Sequence, residues 1–449
     1  MSISIVNKYI QLFSDSLQSL GARPELGELE RLSILVHRSM EQSRRVYHNS
    51  DHVFGLCEGM NPIQTLAALF HDVVYVQLDD GFASWTTDWL APLVSFRGGQ
   101  YFLNEGFEAD PNIRMCTGLF GFVPRQELSP FTGLNEFLSA VVAVRALGGY
   151  LDQKALLAIV VCIEATVPFR GSDSDAFALA KDLRAKTLSV AKQLNLGLSD
   201  AEVLAIIKDA MVLANADVAG FAFDDPGRFL SDTWMLIDES NAPLAKVGLY
   251  TLGDYRQALQ RMAGFLQFLD YRKIFHAESE NDPMYAVRQA AAQRNLDFSV
   301  RYLNAKLTGV VIVEELARMT GGDAPISMFL GDIRGQNPIR IEHFLKARPD
   351  VLPELDPFMM DLLENGRRQA SRNDTAASPM TAFLYRWLGE PGMAAAGEMA
   401  QQLHAGQITS LEFLRTLPIE PVQEIILGCA QISLSRSALL RQVSLQLTS

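Results

Sequence analysis

Apolar residues along this chain recur three and four positions apart far more often than they alternate. Ile5, Val6, Tyr9, Ile10, Phe13 and Leu17 form one such stripe, which predicts an amphipathic first helix ending near Gly21. Asn61 followed by Pro62 predicts a helix start, because proline at the first helical position loses no hydrogen bond. That stripe continues through Ile63, Leu66, Ala67 and Phe70 to His71 and Asp72. Asp152 precedes an apolar run over 155–163 that stops at Glu164. Ser199 and Glu202 have the spacing of a capping box. The helix they open carries Val203, Ile207, Ala210 and Met211 inward and delivers Asp217 near its end. Another helix is expected from 255 to about 276. With no alternating strand pairs and no internal repeat, the pattern predicts an all-α fold.

Two stretches break the rhythm. Residues 77–133 are rich in Gly, Phe, Pro and Asp, and so long a loop-rich segment reads as an insertion forming a lid or partner surface. Residues 365–379 read as a polar linker. The expected organisation is one helical domain over 1–309 carrying the insertion, followed by a separate helical extension over 310–449.

Composition narrows the partners. A net charge of -13 removes a whole-chain basic footprint for duplex nucleic acid. Cys57, Cys116, Cys162 and Cys429 are far apart and make no C-x-x-C pair, so reduced thiols are expected rather than disulfides or a zinc knuckle. The apolar run before Glu164 is too short to span a bilayer, and the expectation is a cytoplasmic protein without a membrane partner. A homo-oligomer or a protein partner, if formed, would use the insertion or the C-terminal segment.

The candidate chemistry sits in four short pieces: Tyr47-His48-Asn49-Ser50-Asp51-His52, His71-Asp72, Asn135-Glu136 and Ala216-Asp217-Val218. A His, an adjacent His-Asp pair and a distant Asp suit a hard or borderline divalent cation, with imidazole nitrogens and carboxylate oxygens as ligands. His71 and Asp72 are neighbours, so both can reach one ion only at a helix end or with diverging rotamers. His48 and His52 are four apart and would share one face of a helix. Arg45, Arg170 and Lys273 are candidate phosphate contacts, although solvated helix charges are the commoner case. His37, His276, His343 and His404 fit no spacing pattern and are read as structural.

Taken together, these pieces resemble the HD-domain superfamily of metal-dependent phosphohydrolases, whose signature is His, His-Asp and a late Asp. The resemblance assigns His52, His71, Asp72 and Asp217 as metal ligands within an HD-domain-like helical bundle. The Tyr-His-Asn-x-x-His start is also similar to the metal-site entrance of cyclic-nucleotide phosphodiesterases, which implies His48 as general acid. A bacterial group of predicted HD phosphohydrolases resembles about residues 40–276 more closely. The similarity runs through 70–75, 135–140, 216–219 and the late segment Arg261…Phe265-Leu266…Arg272-Lys273-Ile274-Phe275. Two departures stand out. Some sixty residues separate His-Asp from Asn-Glu, and Phe169 occupies the place of a His in Thr-x-x-His, leaving Glu164 or Arg170 as substitutes.

The resemblance implies hydrolysis of a phosphate monoester or phosphodiester in a small, nucleotide-like molecule by metal-activated water. The cofactor would be one or two divalent ions, from Mn, Fe, Mg, Co, Ni and Zn. Such an ion lowers the pKa of water from about 15.7 towards ~7 and offsets phosphoryl charge. Glu136 would orient the attacking water, or else merely complement the dipole at a helix N-terminus. The alternative is a catalytically silent metal-binding scaffold or ligand-sensing module that binds a protein partner. A guanosine-tetraphosphate hydrolase is disfavoured, because no Glu-Asp pair directly follows His-Asp.

Overall fold

Helices occupy 65% of the chain and strands 3%, the all-α class that the periodicity predicts. The computed structural model describes residues 3–107, 109–171, 175–278, 282–332, 338–351 and 353–448. The chain forms two compact units, one of residues 1–222 and 270–292, the other of 223–269 and 293–449.

The first unit contains α1 (Ile5–Ser19), α2 (Leu26–Met40), α3 (Ser50–Cys57), α4 (Pro62–Phe70), α5 (Thr87–Leu90), α6 (Pro111–Phe120), α7 (Leu134–Leu147), α8 (Gln153–Ala165), α9 (Ala178–Gln193) and α10 (Asp200–Asp217). Asp152 caps α8 by accepting from the Ala155 N–H at 2.8 Å. Every residue of α8 from Leu156 to Ala165 is buried, so this helix is apolar all round. It packs against α4, α7 and α10, the helices that carry three of the four candidate pieces. Each aliphatic side chain buried there contributes roughly 1.5–3 kcal/mol.

The insertion is more ordered than its composition predicts. It holds α5, α6 and a three-stranded antiparallel sheet of β1 (Val94–Arg97), β2 (Gln100–Leu103) and β3 (Glu127–Leu128). β1 and β2 pair from Val94↔Leu103 to Arg97↔Gln100 across Gly98-Gly99. Both glycines have positive φ (59° and 85°), as the favoured two-residue hairpin turns require. That Gly-Gly step between β-prone residues is the sequence signal for strands missed above.

The second unit contains α11 (Pro226–Ser240), α12 (Leu252–Phe268), most of α13 (Pro283–Met319), α14 (Ser327–Leu330), α15 (Pro357–Asn365), α16 (Pro379–His404), α17 (Ser410–Arg415), α18 (Ile419–Ile432) and α19 (Ser437–Thr448). Three expectations change here. The helix expected over 255–276 stops at Phe268. No boundary falls at residue 310, because α13 runs through it without interruption. The supposed polar linker is the third correction. Arg367, Asn373, Asp374 and Ser378 are all buried, with Asp374 Oδ2 lying 2.6 Å from Lys306 Nζ and 3.4 Å from Arg367 Nη1. Asn373 Nδ2 donates to Asp238 Oδ1 and to the Leu244 carbonyl. Its polarity serves a buried network, which composition alone cannot distinguish from a solvated loop.

All four cysteines are buried and free. Among the described residues no helix is long and apolar enough to cross a membrane.

Candidate metal centre

Three helix termini of the first unit meet at one point. Asn49 caps α3, its side chain accepting from the N–H groups of Asp51 and His52, which fixes His52 in the first turn. His71 terminates α4, and Asp72 follows where the helix has already ended. A helix end is therefore what lets the adjacent pair aim at one place. Asp217 is the final residue of α10.

His52, His71 and Asp72 offer ligand atoms within 4.8 Å of one another. Asp72 Oδ2 lies 3.0 Å from His71 Nε2 and 3.9 Å from His52 Nε2. Asp217 Oδ1 lies 3.2 Å from His52 Nε2 and 3.4 Å from His71 Nε2. His71 Nδ1 faces the Ala68 carbonyl at 2.8 Å; a carbonyl only accepts, so this nitrogen carries a proton and Nε2 is the atom turned to the cluster. Both Nε2 atoms are enclosed and make no hydrogen bond. Two bare imidazole nitrogens facing two carboxylates fit a divalent cation of borderline or hard type. Burial opposes ionisation of both aspartates and is outweighed: His71 and its histidine neighbours hold Asp72 and Asp217 well below the usual carboxylate range. Burial likewise opposes protonation of His71, and Asp72 and Asp217 overcome it, raising the His71 pKa.

His48 reaches the cluster by another route than the one expected. It precedes the Asn49 cap, whose extended backbone (φ -120°, ψ -175°) keeps it off the helix that carries His52. Its ring stands edge-on to Tyr75 with centroids 5.0 Å apart, and 5.7 Å from the His52 ring. Its charge acts on Asp72. Glu136 occupies the first turn of α7, outside the ligand group, and its Oε2 is enclosed without a hydrogen bond. Burial pushes the Glu136 carboxyl up to about 8; its own backbone N–H and Arg170 oppose the rise, while Asp72 and Asp217 add to it.

The segment after Asp72 is clamped from two sides, by residues whose role the sequence left unread. Asn135 Oδ1 accepts from the Val76 N–H at 3.1 Å, and Ser139 Oγ accepts from the Val74 N–H at 3.0 Å. Arg45 Nη1 donates to the Asp72 carbonyl at 2.6 Å, while its Nε and Nη2 grip the Asp79 carboxylate at 3.0 and 2.6 Å. Arg45 is thus a buried structural cation, neither a phosphate contact nor a solvated charge. Its partner is 34 residues away, so no local spacing could reveal the pair.

Arg170 and Glu164, the substitutes considered for the missing His, pair with each other. Arg170 Nη1 lies 2.8 Å from Glu164 Oε1 and Nη2 lies 3.0 Å from Oε2, with Lys186 Nζ 3.4 Å from the same carboxylate. Lys273 is half-buried, its carbonyl accepting from the Gly171 N–H.

A second cluster of ligand-type residues, Glu314, Glu315 and His404, belongs to the other unit. Arg256 and Arg318 neutralise Glu314 at 2.5 and 2.7 Å, and Ser410 donates to Glu315, so it reads as an ion-pair network. No family model, curated protein or solved structure matches this chain.

Proposed function

We propose that this chain is an HD-like, metal-dependent phosphohydrolase acting on a small, nucleotide-like phosphate ester. The observation that carries the reading is the convergence of His52, His71, Asp72 and Asp217 on one point, with two bare imidazole nitrogens turned towards two carboxylates. These four residues would hold the metal, one or two divalent cations from Mn, Fe, Mg, Co, Ni and Zn. When bound, the ion supplies Lewis acidity, which acidifies water and offsets charge on phosphoryl oxygens.

The remaining steps belong to the chain. Glu136 orients the attacking water and takes its proton when ionised, a state that burial opposes by pushing the carboxyl up to about 8 and that a neighbouring cation would favour. His48 gives a proton to the departing oxygen, an effect typically worth about 10²–10⁴-fold. Arg45, Asn135 and Ser139 hold the backbone beyond Asp72, so the carboxylate keeps its direction through turnover.

The test is metal content together with turnover. The purified protein should bind Mn²⁺ and hydrolyse p-nitrophenyl phosphate esters or nucleotides. Asp72→Ala should remove the bound metal and lower kcat/KM more than about 100-fold. Bound metal without turnover on any ester would overturn the hydrolase reading in favour of a metal-stabilised scaffold.

A further inference from the structure

Lys306 and Arg367 are both buried in the second unit, and they share Asp374 as their carboxylate partner. Two cations against one carboxylate leave a positive charge, which burial makes costly. Burial, with the charge of Arg367 adding to it, lowers the Lys306 pKa, although Asp374 opposes the fall. Arg367 is fixed in place. Its guanidinium carbon lies 3.9 Å from the Trp234 ring centre, and Nη2 donates to the Thr375 carbonyl at 2.9 Å. Neighbouring acids do not supply the missing charge. Glu342 pairs with Arg340 at 3.3 Å. Asp238 accepts from Asn373 Nδ2 and from the Arg372 N–H, and burial raises its pKa, which opposes ionisation.

A cavity of about 70 Å³ adjoins this cluster, lined by Lys306, Asn373, Asp374 and the start of α16 from Ser378 to Thr381. One water needs roughly 10–15 Å³ on that measure, so the space suits a tetrahedral oxyanion and excludes a nucleotide. Ser378 holds the N-cap position of α16 without capping it. Its hydroxyl instead accepts from Lys306 Nζ at 2.9 Å and lies 3.1 Å from Tyr302 Oη. The first turn of α16 therefore reaches the cavity wall uncapped, and the helix runs on to its kink at Gly389. Such helix ends attract anions through their N–H groups and dipole. The wall also carries acceptors. Asp374 is one, and Asn373, with Nδ2 spent on Asp238 and the Leu244 carbonyl, keeps Oδ1 enclosed without a hydrogen bond.

We propose that this cavity binds inorganic phosphate in a protonated form, with Lys306 and the first turn of α16 holding its anionic oxygens. Its O–H donates to an acceptor on the same wall, Asp374 or Asn373. A carboxylate beside an anion repels a fully deprotonated ligand and welcomes one that can donate. Phosphate keeps a proton at neutral pH, sulfate has none, and a phosphate monoester, with its second pKa at about 6, has mostly lost its own. The site lies wholly within the second unit and stands apart from the reading of the metal centre.

The experiment titrates inorganic phosphate into the full chain at neutral pH with EDTA, read by calorimetry and by hydrogen exchange. Wild type should bind phosphate at a single site, roughly tenfold or more tighter than sulfate or glycerol 3-phosphate. Phosphate should slow amide exchange around residues 374–381. Lys306→Met leaves Arg367 and Asp374 as a balanced pair, so it should unfold cooperatively yet bind phosphate more than about tenfold weaker. Asp374→Asn removes the repulsion, so sulfate should then bind as well as phosphate. No saturable phosphate binding, equal wild-type affinity for sulfate or glycerol 3-phosphate, or protection confined to the first unit overturns the proposal. So does undiminished binding by Lys306→Met. The wild-type comparison and the exchange map need no variant, and they decide the matter even if a substitution prevents folding.

Discussion

His276 shows how a residue with no motif acquires a measurable role. Its backbone is locked to α10: the His276 N–H donates to Asn215 Oδ1, and Asn215 Nδ2 donates to the His276 carbonyl, both at 2.9 Å. Burial, helped by the charge of Arg170, lowers the His276 pKa from 6.5 to about 4. Because the folded value is the lower one, the unfolded chain takes up this proton first as pH falls. The contribution is complete above pH 6.5 and is lost between there and pH 4, by roughly 3 kcal/mol. Denaturant titrations at pH 7, 6, 5 and 4 should show wild type losing that much relative to His276→Gln. A pH-independent difference would refute the assignment. Site residues divide the same way in legibility. His52, His71, Asp72 and Asp217 could be read because ligand chemistry restricts residue type and order. Arg45 could not, because its meaning depends on Asp79 and the Asp72 carbonyl, which only the fold brings near.

At the scale of elements, the centre is assembled from helix ends and one clamped segment. Asn135 and Ser139 of α7 provide side-chain acceptors for the Val76 and Val74 N–H groups, which are buried with them. Asn135→Ala should therefore cost about 1–3 kcal/mol by leaving a buried N–H unsatisfied. It should also weaken Mn²⁺ binding roughly 10–100-fold, by loosening the segment that orients Asp72. Chemical denaturation and calorimetric metal titration read the two effects separately, and unchanged metal affinity would sink the positioning role. Helices with capping signals were legible from sequence: Asn61-Pro62, Asp152 and the Ser199/Glu202 box each open a helix as predicted. The hairpin at Gly98-Gly99 and the buried course of residues 365–379 were not. Both are polar or glycine-rich stretches whose order comes from pairing and burial rather than from periodicity.

The whole molecule is organised by two excursions of one chain rather than by a cut at residue 310. Residues 223–269 belong with 293–449, and 270–292 return to the first unit. A fragment 1–309 would keep α11, α12 and the 293–309 part of α13 without residues 310–449 of the same unit, exposing Trp234, Tyr250 and Tyr255, all buried in the intact chain. That fragment should aggregate or bind a hydrophobic dye strongly, whereas the full chain should not. A soluble fragment 1–309 with cooperative unfolding would overturn this division.

The interleaving also sets an order in time. During synthesis all four candidate ligands leave the ribosome before the segment that pins Asn215 and Gly171 exists, and the second unit's opening helices emerge in between. Unit completion is thus deferred past the point at which the ligands can first gather. A cation captured early would add a further cross-link among these helix ends at that stage, making metal supply a determinant of how faithfully the nascent chain folds as well as of what the finished protein does.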